Sequence, residues 1–119
     1  MKYFVYGTLM SGEPNNGVLG DAKLVERVDT VKGKLYDVHG AYPAFKQGEG
    51  RVQGEVWETT DLHTQVNLDA LEGVPTLYDK KVIRTDKGHE CIIYVYQHDV
   101  SYLPRILTGS WRAAVKVSA

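Results

Sequence analysis

Apolar positions along this chain fall into short runs broken by glycine-bearing turns, and one stretch repeats with helical period. Four strand-favouring residues, "YFVY" (3–6), run directly into Gly7, Thr8, Leu9 and then Gly12. The segment "EPNNGVLG" (13–20) reads as a loop with room for one short helical turn. "AKLVERVDT" (22–30) and "VKGKLYDV" (31–38) read as two strands, or as one strand bent at Gly33. "AYPAFKQ" (41–47) is short, and Pro43 excludes it from a central ladder. "QGEGR" (47–51) reads as a turn and "VQGEVWET" (52–59) as the next strand. "LYDKKVIRT" (77–85) and "HECIIYVYQ" (89–97) flank "DKG", a hairpin turn. The last segment, "SYLPRILTGSWRAAVKVSA", suggests a helical turn, a short strand and a loose tail. Many short strands and one helix predict an α+β, mainly β domain, a small mixed or antiparallel barrel-like sheet with one main flanking helix.

That helix is "LHTQVNLDALE" (62–72), capped by Thr60 or Asp61 at its start and by Gly73 at its end, with Pro75 preventing continuation. At about 100° per residue, with Leu68 at zero, Leu71 falls near −60°, Leu62 near +120° and Val66 near +160°. Glu72 lands at about +40°, and Gln65 and Asp69 at about +60° and +100°, within the same arc. The face expected to pack inward therefore carries two carboxylates and an amide. Partial desolvation and the negative end of the helix dipole both favour the neutral form of Glu72. A carboxyl so tuned can take up and return a proton near neutral pH. The alternative is a frayed helix end that leaves Glu72 in water.

Composition narrows the class without naming the chemistry. A chain of 119 residues with 43% hydrophobic and 24% charged residues has the make-up of one packed domain. Fourteen basic and fifteen acidic residues leave a formal charge of −1, which lacks the basic excess of a nucleic-acid binder. Cys91 is the only cysteine, so no internal disulfide forms and a reducing, cytoplasmic setting is expected. No apolar run has signal-peptide or membrane-span length, and no membrane partner is expected. A monomer or weak dimer is the expected state.

Other candidate chemistry is sparse. The four histidines lack tight metal-ligand spacing. His89 and Cys91, two apart on a strand, could share a face as metal ligands or as base and nucleophile, or be a turn histidine and a core cysteine. "GEGR" (48–51) lacks the lysine and helix of a phosphate loop, and Ser11 and Ser110 have no nucleophile elbow around them. The turn after Tyr6 is different, because glycine admits close backbone approach and consecutive N–H groups can hold a carboxylate or oxyanion. A tight turn without a ligand is the plainer reading.

Taken together, "VYGTLMSG", "VKGKLYDVHGAYPAF", "VQGEVWE" and "LDALEGVPTLYDKKVI" resemble four ordered motifs of the gamma-glutamylcyclotransferase-like family, over residues 3 to about 97. The nearest resemblance is to the gamma-glutamylamine cyclotransferase branch and its small bacterial relatives. "LTGSW" resembles the family's closing segment less specifically. The resemblance implies a small β-barrel with flanking helices, a single domain over 1–119. It implies that Tyr6, Gly7, Thr8 and Leu9 hold a glutamyl moiety and that Glu72 is the catalytic acid/base. Tyr36, Tyr42, Tyr78 and Tyr94 are expected in the pocket wall. The implied reaction is intramolecular attack of the α-amino group on the γ-carbonyl of a γ-glutamyl amine or peptide, giving 5-oxoproline and free amine without cofactor or metal. Longer members carry Y-G-S-N in place of Y-G-T-L, so their substrates do not carry over. A non-catalytic domain binding a small carboxylate, or an interaction module with a paired buried acid, are the competing readings on the same fold.

Overall fold

The computed structural model describes residues 1–118, and the side chains of its last helix as far as Ala114. Five strands, β1 (Lys2–Val5), β2 (Lys23–Val38), β3 (Tyr42–Glu58), β4 (Tyr78–Arg84) and β5 (Glu90–Tyr96), form one mixed sheet. Their order is β2-β3-β1-β5-β4. Strand β1 runs antiparallel to β3, with Val5 opposite Glu55, and parallel to β5, with Tyr3 opposite Ile92. Tyr3, Phe4 and Val5 are all buried, as befits the central strand. Helix α1 (Leu62–Glu72) follows β3, and helix α2 (Trp111–Ser118) closes the chain. The two sides of the sheet meet where the Asp86 N–H, in the β4–β5 turn, donates to the Thr30 carbonyl of β2 at 2.9 Å. Phe45, Val52, Val56, Leu68 and Ile93, each fully shielded from solvent, form the centre of the core. This is the mainly β, mixed-sheet architecture with one main helix that the sequence predicts.

Two local expectations change, over residues 47–51 and at the C-terminal end. Of the two readings of residues 22–38 the single strand holds: β2 is continuous, with a register shift at Gly33, between Lys32 and Lys34. A Cβ on Gly33 would lie 2.4 Å from the Phe45 ring, so this glycine is dictated by packing rather than by a break in the strand. Residues 47–51 are not a turn. They lie within β3 and arch out as a bulge, because the ladder passes from Lys32–Arg51 straight to Lys34–Lys46. Pro43 stays out of a central ladder as expected, pairing on one side only, opposite Asp37. Only β2 flanks that half of β3, since β1 pairs with residues 55–58, so the missing N–H faces an unpaired side. The C-terminal strand is absent among the described residues. Arg105 makes a single bridge to Tyr36, and α2 occupies the end.

The caps of α1 follow expectation, but its buried face is narrower. Asp61 is the N-cap, accepting from the His63 N–H at 3.0 Å and from the Thr64 hydroxyl at 3.0 Å. Gly73 ends the helix in the left-handed conformation at φ 64°. Leu62 and Val66 point to solvent at 72% and 65% exposure, against the expectation that they pack inward. The inward positions are Thr64 and Leu68. The helix rests on the 3-10 turn Asn16–Leu19 rather than on a broad sheet face, so only a thin sector of it is covered. Glu72 lies about 40° from Leu68, at the edge of that sector.

Candidate active site

The end of β1 is held by its carbonyls. The Gly7 carbonyl accepts from the Met10 N–H at 3.1 Å and the Thr8 carbonyl from the Asn15 N–H at 2.9 Å. The Leu9 carbonyl accepts from the Asn16 side-chain amide at 2.9 Å. The Asn15 amide also donates to the Thr8 hydroxyl at 2.9 Å, so that hydroxyl belongs to the turn itself. A trans peptide sets each N–H opposite the preceding C=O. Anchoring the Gly7 and Thr8 carbonyls therefore turns the N–H groups of Thr8 and Leu9 the other way, and among the described residues they meet no acceptor. Two adjacent free N–H groups form an anion-binding concavity.

Gly7 also meets a packing demand that the sequence does not reveal. A Cβ there would lie 2.5 Å from the Pro43 ring, so the glycine admits a proline from β3. Pro43 is in turn fixed by the Tyr78 hydroxyl, which donates to its carbonyl at 2.6 Å.

A cavity of about 160 Å³ opens beside this turn. That is close to the size of an apolar cavity that accepts a benzene-sized molecule. Tyr6, Gly7, Thr8 and Leu9 border it on one side, Tyr42, Tyr78 and Tyr94 on others, and Glu72 comes from the last position of α1. Tyr36 is not among the lining residues. Its neighbour Leu35 is fully buried, so alternation along β2 sets Tyr36 on the opposite face, half-buried, while its backbone bridges to Arg105. Sequence reasoning passed over Asn15 and Pro43. Asn15 lies in a polar loop without periodicity, and Pro43 read only as an obstacle to strand pairing.

Most polar groups around the cavity are already engaged. The Tyr6 hydroxyl donates to the Tyr94 carbonyl at 2.7 Å, and the Tyr94 hydroxyl donates to Asp69 Oδ1 at 2.8 Å. Lys80 holds the other Asp69 oxygen at 2.8 Å. Burial pushes the Tyr6, Tyr78 and Tyr94 phenols upward, helped at Tyr94 by the Asp69 carboxylate and at Tyr78 by Glu72, so all three stay protonated. Glu72 is the exception. Its carboxyl has no hydrogen-bond partner among the described residues, and burial pushes its pKa up to about 7. A carboxyl at that value exchanges its proton near neutral pH, the condition for serving as both base and acid.

The His89–Cys91 alternative does not assemble. Cys91 is buried and its thiol is pushed up to about 11, mainly by burial. The His89 ring lies instead between Lys2 Nζ and Glu26 Oε1, each at 3.1 Å.

Comparison with known proteins identifies the family. Residues 3–113 match the family model described as gamma-glutamyl cyclotransferase, AIG2-like. A Vibrio cholerae protein is 40% identical over 109 residues, covering 91% of this chain and 92% of its own. The Escherichia coli gamma-glutamylcyclotransferase family protein YtfP is 35% identical over 93% of this chain and 96% of its own, and its solution structure superposes with a TM-score of 0.73. A Niallia circulans protein named gamma-L-glutamyl-butirosin B gamma-glutamyl cyclotransferase is 31% identical, over 81% of this chain and 67% of its own. With a family match across nearly its whole length and relatives aligned end to end, the chain belongs to the gamma-glutamyl cyclotransferase, AIG2-like family of enzymes.

Proposed function

We propose that this protein cyclises a γ-glutamyl amine or γ-glutamyl peptide to 5-oxoproline and a free amine, with Glu72 as the general acid/base. The observation that carries the reading is a half-buried carboxyl without a partner, in the same cavity as a turn with two free N–H groups. The glutamyl part fills the cavity, and the N–H groups of Thr8 and Leu9 receive one of its negatively charged oxygens. The amine extends past Ala41, Tyr42 and Leu71 at the mouth.

In this scheme ionised Glu72 takes a proton from the α-ammonium group. The freed amine attacks the γ-carbonyl carbon, forming the ring C–N bond. Glu72 then delivers that proton to the leaving nitrogen as the original amide C–N bond breaks, and the ring nitrogen passes its second proton through the same carboxyl to the departing amine, which leaves as the ammonium. Substrate and products together carry the same number of exchangeable protons, so one carboxyl can manage both transfers without water. The tethered nucleophile supplies the proximity that a bimolecular attack would lack.

Incubation with a panel of γ-glutamyl amides and assay of 5-oxoproline tests the reading. The expected outcome is turnover of at least one amide and loss of turnover in Glu72→Gln. Undiminished activity in that variant would overturn the assignment. Binding of 5-oxoproline without turnover of any amide would favour a carboxylate-binding domain instead.

A further inference from the structure

Behind the Tyr6–Leu9 turn lies a second buried carboxylate with no part in the proton transfers. Glu55, in β3 directly opposite Val5, is only 1% exposed. Its Oε1 accepts from the Ser11 N–H at 2.8 Å, the Ser11 hydroxyl at 3.2 Å and the Trp57 indole at 3.0 Å. Its Oε2 meets the Arg112 guanidinium of α2 at 3.2 Å. The same Arg112 nitrogen donates to the Ser11 carbonyl, while its Nε lies 3.9 Å from Glu13. Burial alone would push the Glu55 carboxyl up; its donors from Ser11, Trp57 and Arg112 hold it below the usual range, so it stays ionised.

Ser11 is thereby gripped on both its N–H and its C=O. One residue earlier, Met10 closes the turn onto the Gly7 carbonyl. We propose that Glu55 and Arg112 are positioning residues for the glutamyl-binding turn: by clamping Ser11 between β3 and α2 they fix where the free N–H groups of Thr8 and Leu9 point. This role rests on the proposed function for its ligand, although the clamp itself does not. It assigns a task to the C-terminal helix, none of whose described residues lines the cavity. A buried ion pair is weak evidence for stability by itself, because desolvation offsets much of the attraction. Its location under the turn makes geometric control of the site the better account.

Two variants test it. Arg112→Ala releases the α2 side of the clamp, and Glu55→Gln keeps an acceptor for Ser11 while turning its amide on, or losing its attraction for, Arg112. Three measurements are made on each: steady-state kinetics on the best amide of the panel, binding of 5-oxoproline, and amide hydrogen exchange. Misplaced donors are expected to raise KM and the 5-oxoproline Kd about tenfold or more. The pH midpoint of kcat, which reports Glu72, should not move. Exchange should accelerate at the Met10 and Asn15 amides, which hold the turn, while Phe45 and Val56 in the core stay protected. Arg112→Lys, which keeps a cation against Glu55, should recover most of the affinity. Unchanged KM with unchanged exchange at Met10 and Asn15 would overturn the proposal, as would equal acceleration across the whole sheet, which marks a purely structural role. If the wild-type chain neither binds 5-oxoproline nor turns over any amide, the functional reading fails, and the exchange measurement alone still decides the clamp.

Discussion

Replacing Glu72 by Gln should stabilise the fold while removing its chemistry, and by an amount that depends on pH. In the folded chain this carboxyl titrates near 7, against an ordinary value of 4.5. Below about pH 4.5 it is protonated in folded and unfolded chains alike and has no effect on the balance between them. As pH rises, the unfolded chain releases the proton first, so the folded state loses stability until the folded carboxyl ionises near pH 7. Each pH unit of that interval is worth about 1.4 kcal/mol, which gives a ceiling of about 3 kcal/mol above pH 7. Glu72 is only half-buried, so water at the cavity mouth reduces this to roughly 1–3 kcal/mol. Gln fills the same space and never ionises. Urea unfolding of wild type and Glu72→Gln at intervals from pH 4 to 8.5 reads the difference, with thermal midpoints separating by about 3–4 °C per kcal/mol. The two proteins should match near pH 4 and diverge steadily above pH 5, the variant becoming the more stable. Parallel curves would refute the buried, unpartnered acid. A variant less stable at pH 8 would mean that Glu72 is ionised and paired.

The reaction should follow the same group: kcat/KM for 5-oxoproline release is expected to rise with pH through a midpoint near 7, as Glu72 becomes a base. In Glu72→Gln that limb should vanish and the rate fall by about 10²–10⁴-fold, measured from pH 5 to 9. Gly7→Ala forces a Cβ to within 2.5 Å of the Pro43 ring and should cost about 1–3 kcal/mol in urea unfolding, with KM raised as the turn shifts. A soluble Gly7→Ala protein with unchanged stability would show that Pro43 yields freely. Leu68→Ala empties the only apolar side chain of α1 that is fully buried and should cost about 2–5 kcal/mol by the same assay. Because Leu68 sets the depth of α1, the variant should also lower the Glu72 midpoint as water enters.

What the sequence discloses about this site is mostly local. Asp61, Gly73 and the "DKG" turn are short-range signals, and each acts where its chemistry places it. The angular position of Glu72 beside Leu68 is also local, fixed by helix geometry once the caps are known. The features that resist reading involve residues far apart in the chain. Nothing near Gly7 shows that Pro43 will press against it, because the two are far apart in the chain and meet only in the folded structure. The outward turn of Leu62 and Val66 depends on how little of the fold α1 touches, which apolar periodicity does not record. The "QGEGR" segment carries true turn residues, yet the long β2–β3 ladder resumes beyond it and makes it a bulge. Glu55 looks like one more surface charge of an alternating strand until Ser11 and Arg112 close over it.

The tyrosine hydroxyls around the cavity join distant parts of the chain: β1 to β5 through Tyr6, β4 to β3 through Tyr78, and β5 to α1 through Tyr94. Each pocket wall is thus also a fastener between elements 25 to 88 residues apart. A folding intermediate with only the β2–β3 hairpin in place would contain no fragment of the cavity able to hold a ligand. A molecule seated beside Glu72 is therefore expected to slow local opening at β4 and α1 as much as at the turn it touches.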